Sequence, residues 1–291
     1  MTPPRRVAVI VLDYGRPEDA EAAALSAREG DMDVRVLIVD NGSPQGRPPA
    51  EGRLRLPANR GFAGGMNAGI ERLKAEGCDL FLLLNNDAVL ESGSLRLMAA
   101  ALEDPRLGAV GPVILQGATG RVESRGIALD LRTGRVRLMG QGEVPGGGGG
   151  VVAVEALSGA VLLMSRAALE GVGLLDEEYF FSFEDLDWCV RARRAGFALG
   201  VVLGARARHE GGRTLGRTSP QRLYYASRNH VRFVEKLLPR GAPLRSLRRL
   251  GVLLLNLSFA LRQREIPRLR ALGAAAKGFW DGCRRRTGPC S

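Results

Sequence analysis

Blocks of apolar and polar residues alternate along the first 115 residues and predict strands and helices in turn. The apolar runs within 5–15, 34–43 and 78–90 are nearly continuous, which is typical of strands buried on both faces of a parallel sheet. Segments 16–30, 59–77 and 91–104 are predicted helices, and 107–115 is a further strand. This repetition predicts an α/β fold whose parallel strands are joined by right-handed crossovers.

The pattern changes after residue 115. Segment 121–144 alternates and contains "RTGR", which predicts a hairpin, and "PGGGGG" at 145–150 is typical of a flexible loop. A strand and a short helix are predicted within 156–173, and an acidic, aromatic loop leads into a helix within 174–197. From Ser219 onward the chain is predicted to be helical.

Two of the predicted parallel strands end in polar groups. Asp40 and Asn41 follow one apolar run, and Asn85, Asn86 and Asp87 follow the run "FLLL". Ligands of open α/β sheets bind outside the carboxyl ends of the strands, so these groups lie where a site is expected. Asn and Asp are also common turn formers, and both interpretations stay open on these segments alone.

A third acidic cluster, Glu184, Asp185 and Asp187, opens a predicted helix, and His209 is one of only two histidines. Carboxylates with an imidazole can bind Mg²⁺ or Mn²⁺, and a spare carboxylate can act as a general base. The structural alternatives are helix-start acids favoured by the helix dipole and a solvated loop histidine. The Gly-rich segment lacks G-x-G-x-x-G and G-x-x-x-x-G-K-[ST], which excludes a simple Rossmann oxidoreductase or P-loop NTPase.

Composition narrows the class of protein. The chain has 291 residues, 45% hydrophobic and 25% charged, enough for a sizeable core. Its four cysteines form no C-x-x-C pair and "MTPPRR" leads directly into a strand, so we expect a reduced, cytoplasmic protein without a signal peptide.

The positive charge is concentrated near the C-terminus. The net charge is +11, and residues 240–291 contain twelve Lys or Arg and two acids, which leaves the remainder nearly neutral. A nearly neutral body argues against a nucleic-acid partner. We expect two units, a domain at 1–238 and a basic, amphipathic helical extension at 239–291, which either binds an anionic membrane surface or packs on the domain.

Taken together, the motifs resemble family 2 glycosyltransferases of the GT-A fold, near the bacterial rhamnosyltransferase-like members. The resemblance covers about residues 5–235 and rests on "VAVIVLDYGR", "VLIVDNGS", "NRGFAGGMNAGI", "LLLNNDAVL", "LSGAVLLMSRAALEGVGLLDEEYFFSFEDLDWCVRARRAGF", "RHEGG" and "YYASRNHVRF". It implies a mixed, mostly parallel sheet flanked by helices, followed by the helical extension.

The resemblance also implies roles for individual residues. Asp185, in the "ED" motif, matches the catalytic base, and Asp87 and His209 match ligands of a divalent metal, Mg²⁺ or Mn²⁺. The nucleotide-sugar contacts fall on Asp13, Asp40, Asn59, Gly61, Asn67 and Asn86. The chain departs from the family at Asn85, which replaces an acid, and at Asp13, where the family often has Asn.

The implied activity is an inverting, metal-dependent transfer of a sugar from a nucleotide-sugar donor, with dTDP-rhamnose as one candidate. The acceptor would be a glycan or a polyprenol-linked molecule in cell-envelope synthesis, at the inner face of the cell membrane. The alternatives are a catalytically weakened sugar-nucleotide-binding or scaffold protein and a nucleotidyltransferase. "DYGRPEDA" lacks the Gly-rich, basic signature expected of a nucleotidyltransferase.

Overall fold

The apolar runs near the N-terminus form the centre of one large sheet in a computed structural model, which describes residues 5–131, 133–211, 219–237, 242–263 and 265–290. The strands are β1 (Val7–Asp13), β2 (Val34–Asp40), β3 (Arg53–Arg55), β4 (Leu80–Asn85), β5 (Ala88–Leu90), β6 (Leu107–Gln116), β7 (Val122–Ser124), β8 (Ile127–Asp130), β9 (Arg135–Leu138), β10 (Val151–Ala153), β11 (Val161–Ser165) and β12 (Ala198–His209).

The sheet is mixed and mostly parallel. Its order is β10-β12-β6-β11-β4-β1-β2-β3, with β5 beside β12 and β7 beside β6. β1 pairs in parallel with β2 and β4, and β3 with β2, whereas β11 is antiparallel to both β4 and β6. The predicted fold class is confirmed.

Helices cover both faces of this sheet. Val9 and Val11 of β1 lie in the cluster that contains Ala23 on one face, and Ile10 lies in the cluster that contains Met66 on the other. All five side chains are fully buried, which is why the sequence of β1 shows no polar alternation. The helices are α1 (Pro17–Ser26), α2 (Gly61–Ala75), α3 (Ser94–Ala101), α4 (Arg166–Val172), α5 (Glu184–Arg194), α6 (Pro220–Leu237), α7 (Ala242–Leu261) and α8 (Arg268–Cys283), with a 3₁₀ turn at Glu177–Tyr179.

The predicted hairpin is present, but it is shorter than the segment 121–144. β8 and β9 pair antiparallel from Ile127 with Leu138 to Asp130 with Arg135. The preceding β7 instead pairs with β6. This arrangement brings β7, and with it Glu123, alongside the main sheet.

The helical C-terminus is confirmed as far as it is described. α8 packs closely against α6. At Gly278 the two backbones are so near that an added Cβ would lie 2.1 Å from the Tyr224 carbonyl oxygen. The predicted boundary at 238/239 lies outside the described residues. Within the part of the chain that is described, no helix has the length and apolarity needed to cross a membrane.

Candidate active site

The polar ends of the central strands meet at one edge of the sheet. Asp13 of β1 is in register with Asp40 of β2, and Leu12 with Asn85 of β4. The strand-end residues singled out in the sequence therefore lie side by side, as expected for the carboxyl edge of a parallel sheet.

Asp40 is a buried carboxylate with an unused oxygen. Its side chain is fully buried, and Oδ1 accepts a hydrogen bond from the Ser43 amide at 2.9 Å. Oδ2 has no hydrogen-bond partner among the described residues, and the nearest cation, Arg55 Nε, is 3.7 Å away. An unsatisfied buried acceptor is costly, but Asp40 is not among the residues that line the cleft described below, so its assignment as a nucleotide-sugar contact stays a prediction.

Asp13 lies beside Asp40 and is also buried. It accepts a hydrogen bond from the Arg16 amide at 2.8 Å. Burial raises its pKa above the usual range, and the neighbouring Asp40 raises it further. The pair therefore concentrates negative charge at the end of β1 and β2.

Asn41 holds the Gly-rich loop that precedes α2. Its Nδ2 donates to the Gly61 carbonyl at 2.9 Å and to Asn59 Oδ1 at 3.1 Å, and its Oδ1 accepts from the Arg60 amide at 3.0 Å. Asn59 Oδ1 also accepts from the Gly61 amide at 2.8 Å. The sequence placed Asn41 among the polar strand ends where a site is expected, but it predicted no role for this side chain.

Gly61 is required where this loop meets the aromatic segment before α5. Its φ is +74°, and a Cβ would lie 2.2 Å from the Phe180 carbonyl oxygen. The next amide, of Phe62, donates to that same oxygen at 2.6 Å. The two loops are thereby joined through their backbones.

Asn67 lies behind this loop. Its Nδ2 donates to the Leu175 carbonyl at 2.9 Å, and its Oδ1 accepts from the Leu175 amide at 3.1 Å. The amide is thus used to attach α2 to the segment before the 3₁₀ turn. It is not among the residues that line the cleft described next, so its assignment as a nucleotide-sugar contact stays a prediction.

A cleft of about 630 Å³, here called the strand-end cleft, opens over the strand ends. It is mostly apolar, with amides at its base, and Asn86 contributes a buried Nδ2 that has no hydrogen-bond partner among the described residues. The lining residues are Leu12, Tyr14, Asn41, Asn59, Gly61, Phe62, Asn85, Asn86, Phe180 and Phe181.

A second cleft, here called the hairpin cleft, adjoins the first through Phe62, Asn85 and Phe181. Its volume is about 1080 Å³, and the β8–β9 hairpin supplies an apolar wall. Asp185 and His209 both line it. The predicted base and one predicted metal ligand therefore face the same space.

Asp87 and His209 are brought together because β5 pairs with the end of β12. His209 Nε2 lies 3.2 Å from Asp87 Oδ1, and its Nδ1 lies 3.1 Å from Glu123 Oε1 on β7. Burial alone lowers the pKa of His209, but the hydrogen bonds to Asp87 and Glu123 raise it to about 9. Without a metal, His209 is thus a cation between two carboxylates, and a metal bound at Nε2 would replace the proton there.

These residues fit a divalent cation. Neighbouring ligands of an octahedral Mg²⁺ lie about 3 Å apart, since each is about 2.0–2.1 Å from the ion, and Asp87 Oδ1 and His209 Nε2 have this separation. Glu123, on the other ring nitrogen, would fix the orientation of the imidazole, as carboxylates commonly do behind metal-binding histidines. The described residues contain no cluster of three or more such side chains around one point, so substrate oxygens and water would complete the shell.

Asp185 stands at the start of α5. Its Oδ2 accepts from the Gly159 amide at 2.8 Å, and its Oδ1 accepts from the Leu186 amide at 2.8 Å. Burial raises its pKa despite these hydrogen bonds. A carboxylate held by backbone amides and made more basic by burial suits proton abstraction.

The neighbouring Glu184 has a different environment. It is 5% exposed, and its Oε2 has no hydrogen-bond partner among the described residues. Burial, reinforced by the charge of Asp185, raises its pKa to about 8. Near neutral pH, Glu184 is therefore mainly protonated, whereas the two backbone amides at Asp185 favour its charged form.

Comparison with known proteins identifies the family. A family model described as "Glycosyltransferase like family 2" matches residues 2–226. The chain belongs to glycosyltransferase family 2. It is 30% identical over 220 residues to the N-acetylglucosaminyl-diphospho-decaprenol L-rhamnosyltransferase of Mycobacterium tuberculosis, an alignment that covers 63% of this chain and 69% of that one. An uncharacterized protein of the same organism is 33% identical over 195 residues, covering 64% and 67% of the two chains. The predicted resemblance is confirmed, and this chain is a glycosyltransferase.

Solved structures support the GT-A fold of this glycosyltransferase. The mannosyltransferase PcManGT from Pyrobaculum calidifontis, in complex with GDP-Man and Mn²⁺, superposes with a TM-score of 0.56 at 17% identity, over 99% of this chain and 77% of that one. GalNAc-T7 with UDP, GalNAc and Mn²⁺ gives a TM-score of 0.58 at 12% identity over 86% of this chain. The aligned region spans 55% of the GalNAc-T7 chain.

Proposed function

We propose that this glycosyltransferase moves a sugar from a nucleoside-diphosphate sugar to a lipid-linked or polysaccharide acceptor of the cell envelope, with inversion at the anomeric carbon. One observation carries the proposal: Asp185 and His209 line a cleft continuous with the one that opens over the strand ends. A metal ligand that helps to stabilise the leaving diphosphate and a base that takes the proton of the acceptor are the groups such a transfer needs.

The nucleotide would lie in the strand-end cleft. Asn86 Nδ2 can donate a hydrogen bond to the base or ribose, and Asp40 Oδ2, whose nearest cation is Arg55 at 3.7 Å, would accept one. The loop of Asn59 and Gly61 would contact the same ligand at the start of α2, and Asp13 would contact it at the end of β1. Tyr14 and Phe180 supply apolar surface for the flat faces of a base.

Asp87 and His209 would hold Mg²⁺ or Mn²⁺ against the diphosphate. When bound, such an ion stabilises the charge that develops on the diphosphate leaving group. Glu123 keeps the Nε2 atom of His209 directed at Asp87. The two solved neighbours that contain Mn²⁺ with a nucleotide or nucleotide sugar support this assignment.

Asp185 would take the proton from the attacking acceptor hydroxyl. Glu184 is mainly protonated near neutral pH, so Asp185, whose charged form is favoured by two backbone amides, is the better candidate for the base. A single carboxylate acting as a base supports one in-line displacement, which inverts the configuration of the anomeric carbon.

The relatives favour particular substrates. A homologue named as an L-rhamnosyltransferase acting on N-acetylglucosaminyl-diphospho-decaprenol supports dTDP-rhamnose as donor and a polyprenol-linked acceptor for this chain. The apolar wall made by Ile127, Val136 and Leu138 of the hairpin cleft gives such an acceptor a place to bind.

The proposed acceptor requires access to a membrane, and α7 has a surface suited to one. Leu247, Leu250, Leu254 and Leu261 recur at helical spacing and are each more than half exposed. Exposed arginines, Arg245 and Arg262, lie near the two ends of this face. An apolar helix face with flanking cations fits the interface of an anionic bilayer, so we place the enzyme peripherally at the cytoplasmic leaflet.

Sedimentation with vesicles tests this placement. The protein is expected to bind vesicles containing anionic lipid more strongly than neutral ones, and Leu254→Asp to weaken binding about tenfold, since burying a leucine contributes about 1.5–3 kcal/mol. Leu25→Asp, at an equally exposed leucine on α1, serves as control. Equal binding to both vesicle types, or an equal loss in both variants, would contradict a membrane role for α7.

Turnover tests the function itself. Incubation with dTDP-rhamnose, UDP-hexoses and GDP-mannose, Mn²⁺ and bacterial lipid extract is expected to release one nucleoside diphosphate and to label the lipid fraction. Nucleotide binding without any release would favour the alternative of a catalytically weakened binding or scaffold protein. The Asn85-Asn86 pair before Asp87, where the family has an acid, is the observation that favours this alternative.

A further inference from the structure

The loop Phe180–Phe183, just before α5, has an unusual backbone. Phe180, Ser182 and Phe183 have φ angles of +61°, +70° and +77°, in the left-handed region that residues with a Cβ avoid. Such conformations persist only where the surrounding structure imposes them, and they cluster at functional sites. Contacts from α6 hold the loop in this conformation.

Asn229 of α6 binds the loop from behind. Its side chain is fully buried, and Nδ2 lies 2.8, 2.6 and 2.7 Å from the carbonyl oxygens of Tyr179, Phe181 and Ser182. The two hydrogens of one amide are shared by these three acceptors. The positive φ angles of the loop turn these three carbonyl oxygens towards one point, where the amide of Asn229 lies.

Arg228, beside it, fixes the orientation of that amide. Its Nε donates to Asn229 Oδ1 at 3.0 Å, which leaves Nδ2 facing the loop. Its Nη2 donates to the Tyr179 carbonyl at 2.7 Å and its Nη1 to the Gly288 carbonyl at 2.6 Å. The guanidinium lies over the Tyr225 ring, 5.0 Å from the centroid.

The loop connects both halves of the proposed site. The Phe180 carbonyl accepts from the Phe62 amide in the Gly-rich loop. Phe183, at the other end, caps α5 and accepts from the Asp187 amide at 2.9 Å. A change in this loop would therefore move Asp185, at the start of α5, relative to the strand-end cleft.

We infer that Asn229 and Arg228 are positioning residues for the transfer reaction, which hold the Phe180–Phe183 loop so that Asp185 faces the bound donor. The inference rests on the proposed role of Asp185. Both residues lie in the segment "YYASRNHVRF", just past the end of the matched family model at 226, and Arg228 also binds the Gly288 carbonyl after α8. The C-terminal helices thus support the active site.

The test compares Asn229→Ala with Ser227→Ala in the full chain. Ser227 is also fully buried on α6, but its hydroxyl has no hydrogen-bond partner among the described residues. Three quantities are measured: release of nucleoside diphosphate from a nucleotide sugar, the Kd of UDP, GDP and dTDP with Mn²⁺, and amide hydrogen exchange of peptides covering 179–187. Arg228→Lys, which keeps the charge, replaces Asn229→Ala if that variant does not fold.

We expect Asn229→Ala to lower kcat at least tenfold, because small misplacement of a catalytic group is costly. The nucleotide Kd should change less than kcat does, because the loop forms only one wall of the strand-end cleft. Exchange in 179–187 should rise at least tenfold, and Ser227→Ala should match the wild type. Wild-type kcat or wild-type loop exchange in Asn229→Ala would overturn the inference. If the wild-type enzyme turns over no nucleotide sugar, the proposed function fails, and loop exchange alone decides whether Asn229 holds the loop.

Discussion

Asp185→Asn is expected to lower the rate of sugar transfer by about 10²–10⁴-fold, the range in which general bases contribute. The substitution keeps the shape of the side chain and one of its two hydrogen bonds from the Gly159 and Leu186 amides, so the fold should be preserved at some cost in stability. It removes the basic oxygen that takes the acceptor proton. The affinity for the nucleoside diphosphate should be unchanged, because that ligand is proposed to lie in the strand-end cleft. Both are measured on one preparation, as nucleoside diphosphate release and as calorimetric binding.

Glu184→Gln is the matched control for this experiment. Glu184 is buried and mainly protonated near neutral pH, so glutamine reproduces its prevailing form and transfer at pH 7 should change less than tenfold. If Glu184→Gln lost transfer while Asp185→Asn retained it, the base would be Glu184 and the assignment made here would be wrong.

Asp87→Ala is expected to remove the metal dependence of nucleotide binding. Asp87 supplies one of the two facing donor atoms, and the buried His209 would be left with Glu123 as its partner. We expect the affinity for a nucleoside diphosphate in the presence of Mn²⁺ to fall at least 100-fold, towards the metal-free value of the wild type. Titration calorimetry with and without Mn²⁺ measures both.

Glu123→Gln tests whether Glu123 binds the metal itself or only orients His209. Glu123 contacts Nδ1 of His209, on the opposite side of the ring from Asp87, so its replacement should cost about 10–100-fold in metal affinity, as is usual for groups behind a metal ligand. A loss as large as that of Asp87→Ala would mean that Glu123 itself binds the metal. No loss in either variant would place the metal elsewhere.

The central sheet was predictable because its strands are locally uniform. β1 and β4 are buried on both faces, so their apolar runs are continuous. β12 was missed because glycines and arginines interrupt it, and its strand character depends on partners distant in sequence. A Cβ at Gly200 would lie 2.3 Å from the Val151 side chain, so this glycine serves close strand approach. No pattern in the sequence around Gly200 predicts that contact.

Some residues of the candidate site were also predictable from the local sequence, and others depend on partners distant in the chain. Asp40 and Asp87 stand directly after apolar strands, which made them visible in the sequence. Glu123 could not be found, because "VES" is an ordinary strand segment until β7 pairs with β6 and brings it to His209. Asn67 was expected among the ligand contacts, but its amide binds the Leu175 backbone, 108 residues away. The roles of all the site residues stay predictions until they are measured.

The most direct test of a metal-dependent nucleotide site is a thermal-shift titration of the wild-type enzyme with UDP, GDP and dTDP, each with and without Mn²⁺. A ligand that binds only the folded state raises the melting temperature by mass action, by an amount equivalent to about 2.7 kcal/mol at 100 times Kd. If the proposed site is correct, we expect one nucleotide to raise the melting temperature strongly with Mn²⁺ and weakly without it. No stabilisation by any of the three in the presence of Mn²⁺ would contradict it.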